Sequence, residues 1–197
     1  MKKQTLFTLV LLSSQLGYAA ECLYSIDSKK SQIGWKAFKY SEALKAGVPG
    51  SFKKVAYKET YKPNLEKALQ ATPVEIDLQT VDTKNPGRDQ TLTKSFFTLI
   101  LGKKIKARFL KMKASKALVA IQLNKKTKTV EMKVKKHSEN HWSLEGSIDL
   151  LADFGLKKQF ESLHQACKGL HTGSDGISKT WTDVELHAEV YFKKKCS

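Results

Sequence analysis

The stretch "DVELHAEVYF", Asp183–Phe192, places Val184, Leu186, Ala188, Val190 and Phe192 at every second position, with charged or polar residues between most of them. A strand alternates its side chains between two faces, so this period of two marks a strand with one face buried and one wet. The same pattern recurs upstream. "PVEIDLQTV" (73–81) sends Val74, Ile76 and Leu78 one way, and "KIKARFLKM" (104–112) does so with Ile105, Ala107 and Phe109. "TVEMKVKK" (129–136) repeats it with Val130, Met132 and Val134, and "HWSLEGSIDL" (141–150) with Trp142, Leu144, Gly146, Ile148 and Leu150. Adding "SQIGWKAF" (31–38), "GSFKKVAYKE" (50–59) and "KALVAIQLN" (116–124) gives about eight strands. "NKKTK" (124–128) reads as a hairpin turn.

Three segments break the period. "SEALKAG" (41–47) and "NLEKALQA" (64–71) read as short helices, the second with Asn64 as N-cap. "DFGLKKQFESLHQACKG" (153–169) is the main helix. Asp153 is its expected cap, Leu156, Phe160 and Leu163 share a face, and Gly169 stops it. Many short antiparallel strands with one amphipathic helix fit an all-β fold with minor α, either a closed barrel or a sandwich. A barrel of about eight strands has an interior wide enough to pack solid or to hold one small ligand.

The first residues have a separate meaning. Lys2 and Lys3 precede an apolar run from Leu6 to Leu12 and then small residues, the order of a secretory signal peptide. Gly17 and Ala19 place the cut after Ala19, which leaves residues 20–197 as one domain in the periplasm or outside the cell. Lipidation at Cys22 is disfavoured by Glu21, which stands where a small residue is needed. Without Lys2 and Lys3 the chain carries 33 basic against 19 acidic residues, a net charge near +14. Anionic partners are therefore favoured. Nucleic acid is not among them: the lysines are scattered, and only Arg88 and Arg108 offer the planar fork that base and phosphate recognition uses. Three cysteines, Cys22, Cys167 and Cys196, suggest one bridge and one leftover thiol in an oxidising compartment.

Five segments together resemble the YceI-like, polyisoprenoid-binding family: "YSIDSKKSQIGWKAFKY" (24–40), "GVPGSFKKV" (47–55), "IDLQTVDTKNPGRDQTLTKSFF" (76–97), "DFGL" (153–156) and "WTDVELHAEVYF" (181–192). The resemblance implies a closed, lipocalin-like antiparallel barrel around a long apolar cavity. It also implies an amphiphilic isoprenoid-like or fatty-chain ligand, and family members often form dimers, so a homodimer is left open. An anionic membrane surface is the other partner that the lysines suit. The chain departs from the family pattern at Thr91, where a histidine is usual. Ser95 and Thr98 stand in place of acidic residues beside Phe96–Phe97, and "NKKTK" replaces a His-Gly turn.

Such a barrel sets the expected ligand wall. Trp35, Phe52, Phe109 and Trp142 supply aromatic surface, and Ile33, Ile76, Leu78, Met132, Leu144 and Leu186 supply aliphatic surface. Phe154 and Phe160 of the main helix segment join them. Arg88 to Phe97 is expected as a helical plug or lip, with Phe96 and Phe97 turned into the cavity. Arg88 and Asp89 then either fix the plug or meet a ligand headgroup; the plainer reading makes them a capping pair and the phenylalanines core. In a meandering barrel the first and last strands pair antiparallel, which brings Cys22 beside Cys196 and leaves Cys167 free.

Other chemistry is weaker. "HQACKGLH" places His164, Cys167 and His171 at a conceivable zinc spacing, but Gly169 interrupts the helix and no acidic fourth ligand is near. His137 and His141 in "HSENH" flank a turn and are expected to face solvent rather than bind metal. No nucleophile elbow or phosphate loop is present. The expectation is a non-enzymatic carrier needing neither metal nor cofactor. The alternative is a secreted basic protein with a solid barrel that binds an acidic polymer or a protein partner.

Overall fold

The computed structural model describes residues 21–197, so the expected signal peptide lies outside the described residues. Among the described residues no helix is long and apolar enough to cross a membrane. Eleven strands form one antiparallel sheet: β1 (Cys22–Ile26), β2 (Gln32–Lys39), β3 (Ala46–Phe52), β4 (Val55–Tyr57), β5 (Val74–Asp77), β6 (Val81–Asp82), β7 (Lys104–Lys113), β8 (Lys116–Leu123), β9 (Lys126–Ser138), β10 (His141–Asp149) and β11 (Asp183–Cys196). Helices α1 (Leu65–Gln70), α2 (Pro86–Ser95) and α3 (Lys157–Cys167) complete it.

The last strand is the hub. β11 lies against β10 along one edge, while its other edge pairs with β2 through residues 185–189 and with β1 through residues 192–196. Leu186 sits opposite Gly146 on one side and Trp35 on the other, so the register that the alternation demands is fixed from both flanks. Gly50 opposes Trp35 in β3, and a Cβ there would lie 2.2 Å from the indole. Only glycine leaves room for the ring.

The hairpin turn at 124–128 is confirmed and sharpened. Leu123 pairs with Lys126, and Asn124 and Lys125 both have positive φ, 51° and 62°, the signature of a two-residue type I′ turn. Asn124 also ties loops together: its side chain accepts from Leu101 N–H and donates to the Phe154 carbonyl.

The closed barrel is corrected. The sheet is open, curling from β4 at one edge to β6 at the other, because two expected strands are broken. "PVEIDLQTV" stops at Asp77, whose carboxylate accepts from Gln79 N–H while its carbonyl accepts from the Thr80 hydroxyl. These local bonds replace ladder bonds and turn Leu78–Thr80 into a 3₁₀ step. Facing it, "GSFKKVAYKE" breaks at Lys53–Lys54 into β3 and β4. The two broken runs pair only in short stretches, β4 with β5 at Val55–Tyr57 and β3 with β6 at Ser51 and Phe52, while Lys53 N–H to the Thr80 carbonyl and Asp77 N–H to the Lys54 carbonyl span the break.

Two helix expectations also change. "SEALKAG" is a turn followed by the start of β3, because Ala46 pairs with Lys39 and Gly47 with Phe38. Asp153 does not cap the main helix, which begins at Lys157. Instead its carboxylate accepts from Asp149 N–H and pairs with Lys128 at 2.7 Å; Lys128 is the chief cause that holds its pKa below the ordinary carboxylate value. Gly155, at φ +63°, completes a turn that drives Phe154 and Leu156 into the core, each 0 % exposed. The helix stops at Cys167, and Gly169 opens a 3₁₀ turn. Asn64 caps α1 as expected, accepting from Lys67 N–H.

Cys22 and Cys196 form the expected disulfide at the β1–β11 pairing, across a sequence separation of 174, and Cys167 is a buried free thiol. Closing so long a loop stabilises by about 4–5 kcal/mol in the chain-entropy model. Two outcomes are expected. Non-reducing peptide mapping returns a Cys22–Cys196 peptide, and the Cys22→Ser/Cys196→Ser variant unfolds about 2–5 kcal/mol more easily in denaturant titration. Phe154→Ala costs about 3–5 kcal/mol in the same assay, because the ring has no solvent to relax toward.

Candidate functional site

The inner face of the sheet does not close onto itself. Three voids run along it, each sharing wall residues with the next. A cavity of about 160 Å³ lies deep in the sheet, walled by Ile33, Ile76, Phe109, Met132 and Leu144 among others. A second, of about 110 Å³, lies under α2 and α3 between Leu78, Phe96, Phe97 and Phe160. These two are walled almost wholly by aliphatic and aromatic side chains, and both touch Phe52 and Leu186. The third, of about 530 Å³, is a wider mouth bordered by Lys39, Asn85, Arg88, Cys167, Leu170, His171 and Thr180. Trp35 borders all three. Its indole Nε1 is buried with no hydrogen-bond partner.

α2 is the lip. Pro86 at the first helical position and Asn85, whose side chain accepts from Arg88 N–H, start it. Asp89 then anchors it: one carboxylate oxygen accepts from both the backbone N–H of Thr83, at 2.9 Å, and its hydroxyl, at 2.6 Å. So the Arg88–Asp89 pair divides. Asp89 holds the helix to Thr83, just after β6, while no carboxylate among the described residues lies within ion-pair distance of Arg88. Its Nε is buried and unpartnered beside the mouth. A guanidinium carries only donors, so a buried donor without a partner is a place for an acceptor from outside. Phe96 and Phe97 are both buried and pack edge-on, and Phe97 packs edge-on to Phe52 as well. They are core and cavity wall at once.

The mouth contains residues that the sequence reading did not assign to a ligand. Lys39 brings a second cation, and Leu163 and Leu92 lead from the mouth to the inner cavity. Their signal was faint: Lys39 is one lysine among many until β2 is curled beside α3. Trp142 and Phe154, expected on the ligand wall, border none of the three voids. Trp142 instead packs edge-on to Phe192, and Phe154 fills the core below the β8–β9 hairpin.

The trio His164, Cys167 and His171 takes a hydrogen-bonded arrangement. Both imidazoles turn Nδ1 to the same Thr180 hydroxyl, at 3.0 and 2.7 Å. That hydroxyl has one proton, so it donates to one ring and accepts from the other. Burial, then Lys39 and His164, push the His171 pKa from 6.5 down to about 4. Burial also raises the Cys167 thiol pKa. His171 is therefore neutral in the folded chain at pH 5, where an unfolded histidine binds a proton. Its contribution to stability is present above pH 6.5 and is lost as pH falls toward about 4. The His171→Gln variant should lose less stability than the parent between those values, measured by denaturant titration at each pH.

The YceI-like domain profile matches residues 24–192. A solved structure of a polyisoprenoid binding domain from Saccharophagus degradans, implicated in plant cell wall breakdown, superposes with a TM-score of 0.59 at 13% identity, covering 87% of this chain and 98% of that one. The Campylobacter jejuni YceI protein aligns at 18% identity over 81% of this chain and 91% of that chain, with a TM-score of 0.48. No curated protein matches. The profile spans most of the described chain in strand order, from Tyr24 in β1 to Phe192 in β11: the chain belongs to the YceI-like family.

Proposed function

We propose that this chain is an exported binding protein that carries or sequesters an amphiphilic, long-chain ligand of isoprenoid or fatty type. The tail enters through the mouth and runs past Trp35 into the two apolar cavities; the headgroup stays at the mouth with Arg88 and Lys39. The observation that carries this reading is the row of adjoining voids that share Trp35 as a wall, apolar inside and cationic at the opening, with the unpartnered Arg88 Nε at the boundary. The Saccharophagus relative, a polyisoprenoid binding domain, supports the same ligand class.

The energetics suit a carrier. Each buried methylene is worth about 0.8 kcal/mol, so ten give about 8 kcal/mol before ordering costs. The inner cavities are small beside ordinary ligand pockets, which hold about 300–1,000 Å³. A long tail therefore displaces flexible wall such as Met132 as it enters. Leu170, 70% exposed beside the mouth, and Lys39 within it suit a touch on an anionic membrane surface during loading. The Cys22–Cys196 bridge supports the periplasm or the exterior as the place of work.

Organic extraction of gently purified protein, followed by lipid mass spectrometry, should return a reproducible chain-bearing lipid. No lipid, together with no saturable uptake of added prenyl or acyl chains, refutes the carrier and favours a solid-cored interaction protein. Arg88→Ala should weaken binding of an acyl or prenyl phosphate by about 1.5–3 kcal/mol, the value of a hydrogen bond to a charged group, with Tm unchanged. Lost stability with unchanged affinity would make Arg88 a structural residue.

A further inference from the structure

A second cluster lies on the outward face of β9, β10 and β11. β9 and β10 pair Ser138 with His141 and then Lys136 with Trp142, so His137 is the extra residue of a β-bulge. The bulge puts Lys136, not His137, opposite the inward Trp142 and turns His137 to the outer face with His141. There the two rings stack at 4.6 Å between centroids. On the other flank, His141 lies nearly flat on Tyr191, with centroids 4.1 Å apart and planes within 4°. Its Nε2 is 2.6 Å from Glu189 Oε2, while His137 Nε2 is 2.9 Å from Ser143 Oγ. One donor atom from each of His137, His141 and Glu189 falls within 4.8 Å of the others.

We propose that His137, His141 and Glu189 form a site for a divalent transition metal ion of zinc type, with a fourth position open to water or to an exogenous ligand. Four observations carry it. Two imidazoles and one carboxylate form a recognised zinc ligand set, whereas magnesium and calcium prefer all-oxygen sites. Ligands about 2.0–2.2 Å from a tetrahedral ion stand roughly 3.3–3.5 Å apart, so small side-chain rotations convert the present cluster into a bound one. The orientation is already set: the Tyr191 ring holds the His141 plane, and Ser143 holds His137 in the manner of an outer-shell partner. Finally, the charge pattern is unusual for this chain. Among the described ion pairs every other acidic partner meets a lysine, and Glu189 alone meets an imidazole. With side-chain exposures of 23% and 40%, His141 and Glu189 leave an ion room to enter. Lys135, opposite Ser143 in the ladder, is a neighbouring cation that opposes binding.

His137 and His141 border none of the three voids, and Glu189 lines only the deep one, so the metal site and the lipid reading share a single residue. The test is calorimetric titration of chelator-stripped protein with zinc chloride. One ion per chain is expected, with His141→Ala weakening it by at least ~100-fold and Ser143→Ala by ~10-fold. Glu189→Gln keeps the shape while removing the charge and should also lose most of the affinity. His164→Ala, in the other histidine cluster, should leave binding unchanged. Histidine NMR should show the ring signals of His137 and His141 moving together with zinc. Absence of stoichiometric binding overturns the proposal, as does equal affinity in wild type and His141→Ala with both folded by circular dichroism.

Discussion

The fold depends on one strand keeping its register against three neighbours. β11 is held by β10 along one edge and by β2 and β1 along the other, and the disulfide joins its last residues to the first strand. Slipping β11 by one residue would turn Val184, Leu186, Val190 and Phe192 to water and bring Glu185 and Glu189 inside. The cost of burying those charges is larger than any gain from new pairing. The inner surface is thereby a fixed one, and Trp35 reaches its place only because Gly50 yields the space across the β2–β3 pair.

From that constraint follows a division of labour between faces. Inward positions are apolar and incompletely filled, which leaves one void deep in the sheet and an adjoining one under α2 and α3. Outward positions carry the lysines and exposed ion pairs such as Lys36–Glu185 and Lys116–Glu131, which contribute little to stability individually but keep a basic chain soluble. At the boundary, α2 converts a turn-forming sequence into a lip: Asn85 and Asp89 spend their acceptors on backbone and hydroxyl donors, and Arg88 is left without an internal partner. The helix is held by its acid so that its base remains available.

Much of this was legible from residue order. Period-two alternation located six strands whole, because each buries one face, and Asn64 and "NKKTK" declared their cap and turn through local chemistry. The disulfide followed from first and last strands pairing. What was not legible was decided by competition between local and distant bonds. Asp77 and Thr80 pull the chain into a 3₁₀ step within an alternating run, which opens the sheet. Asp153 looks like a helix cap, yet Lys128 of a distant hairpin and the Asp149 amide claim its oxygens. For the site, the apolar wall was visible as alternation, but the mouth needed Lys39, Arg88 and His171 brought together from β2, α2 and the turn after α3. Trp142 points inward as the alternation requires, yet it packs edge-on to Phe192 and borders none of the three voids.

The central claim is that a hydrocarbon tail occupies the space beside Trp35. Heteronuclear NMR of the protein titrated with farnesyl phosphate tests it most directly, through the Trp35 indole Nε1–H and the methyl groups of Ile33 and Leu186. Saturable shifts of these interior signals, together with Arg88 at the mouth, are the expected result. Shifts restricted to surface lysines, with the Trp35 indole unmoved, would contradict the account.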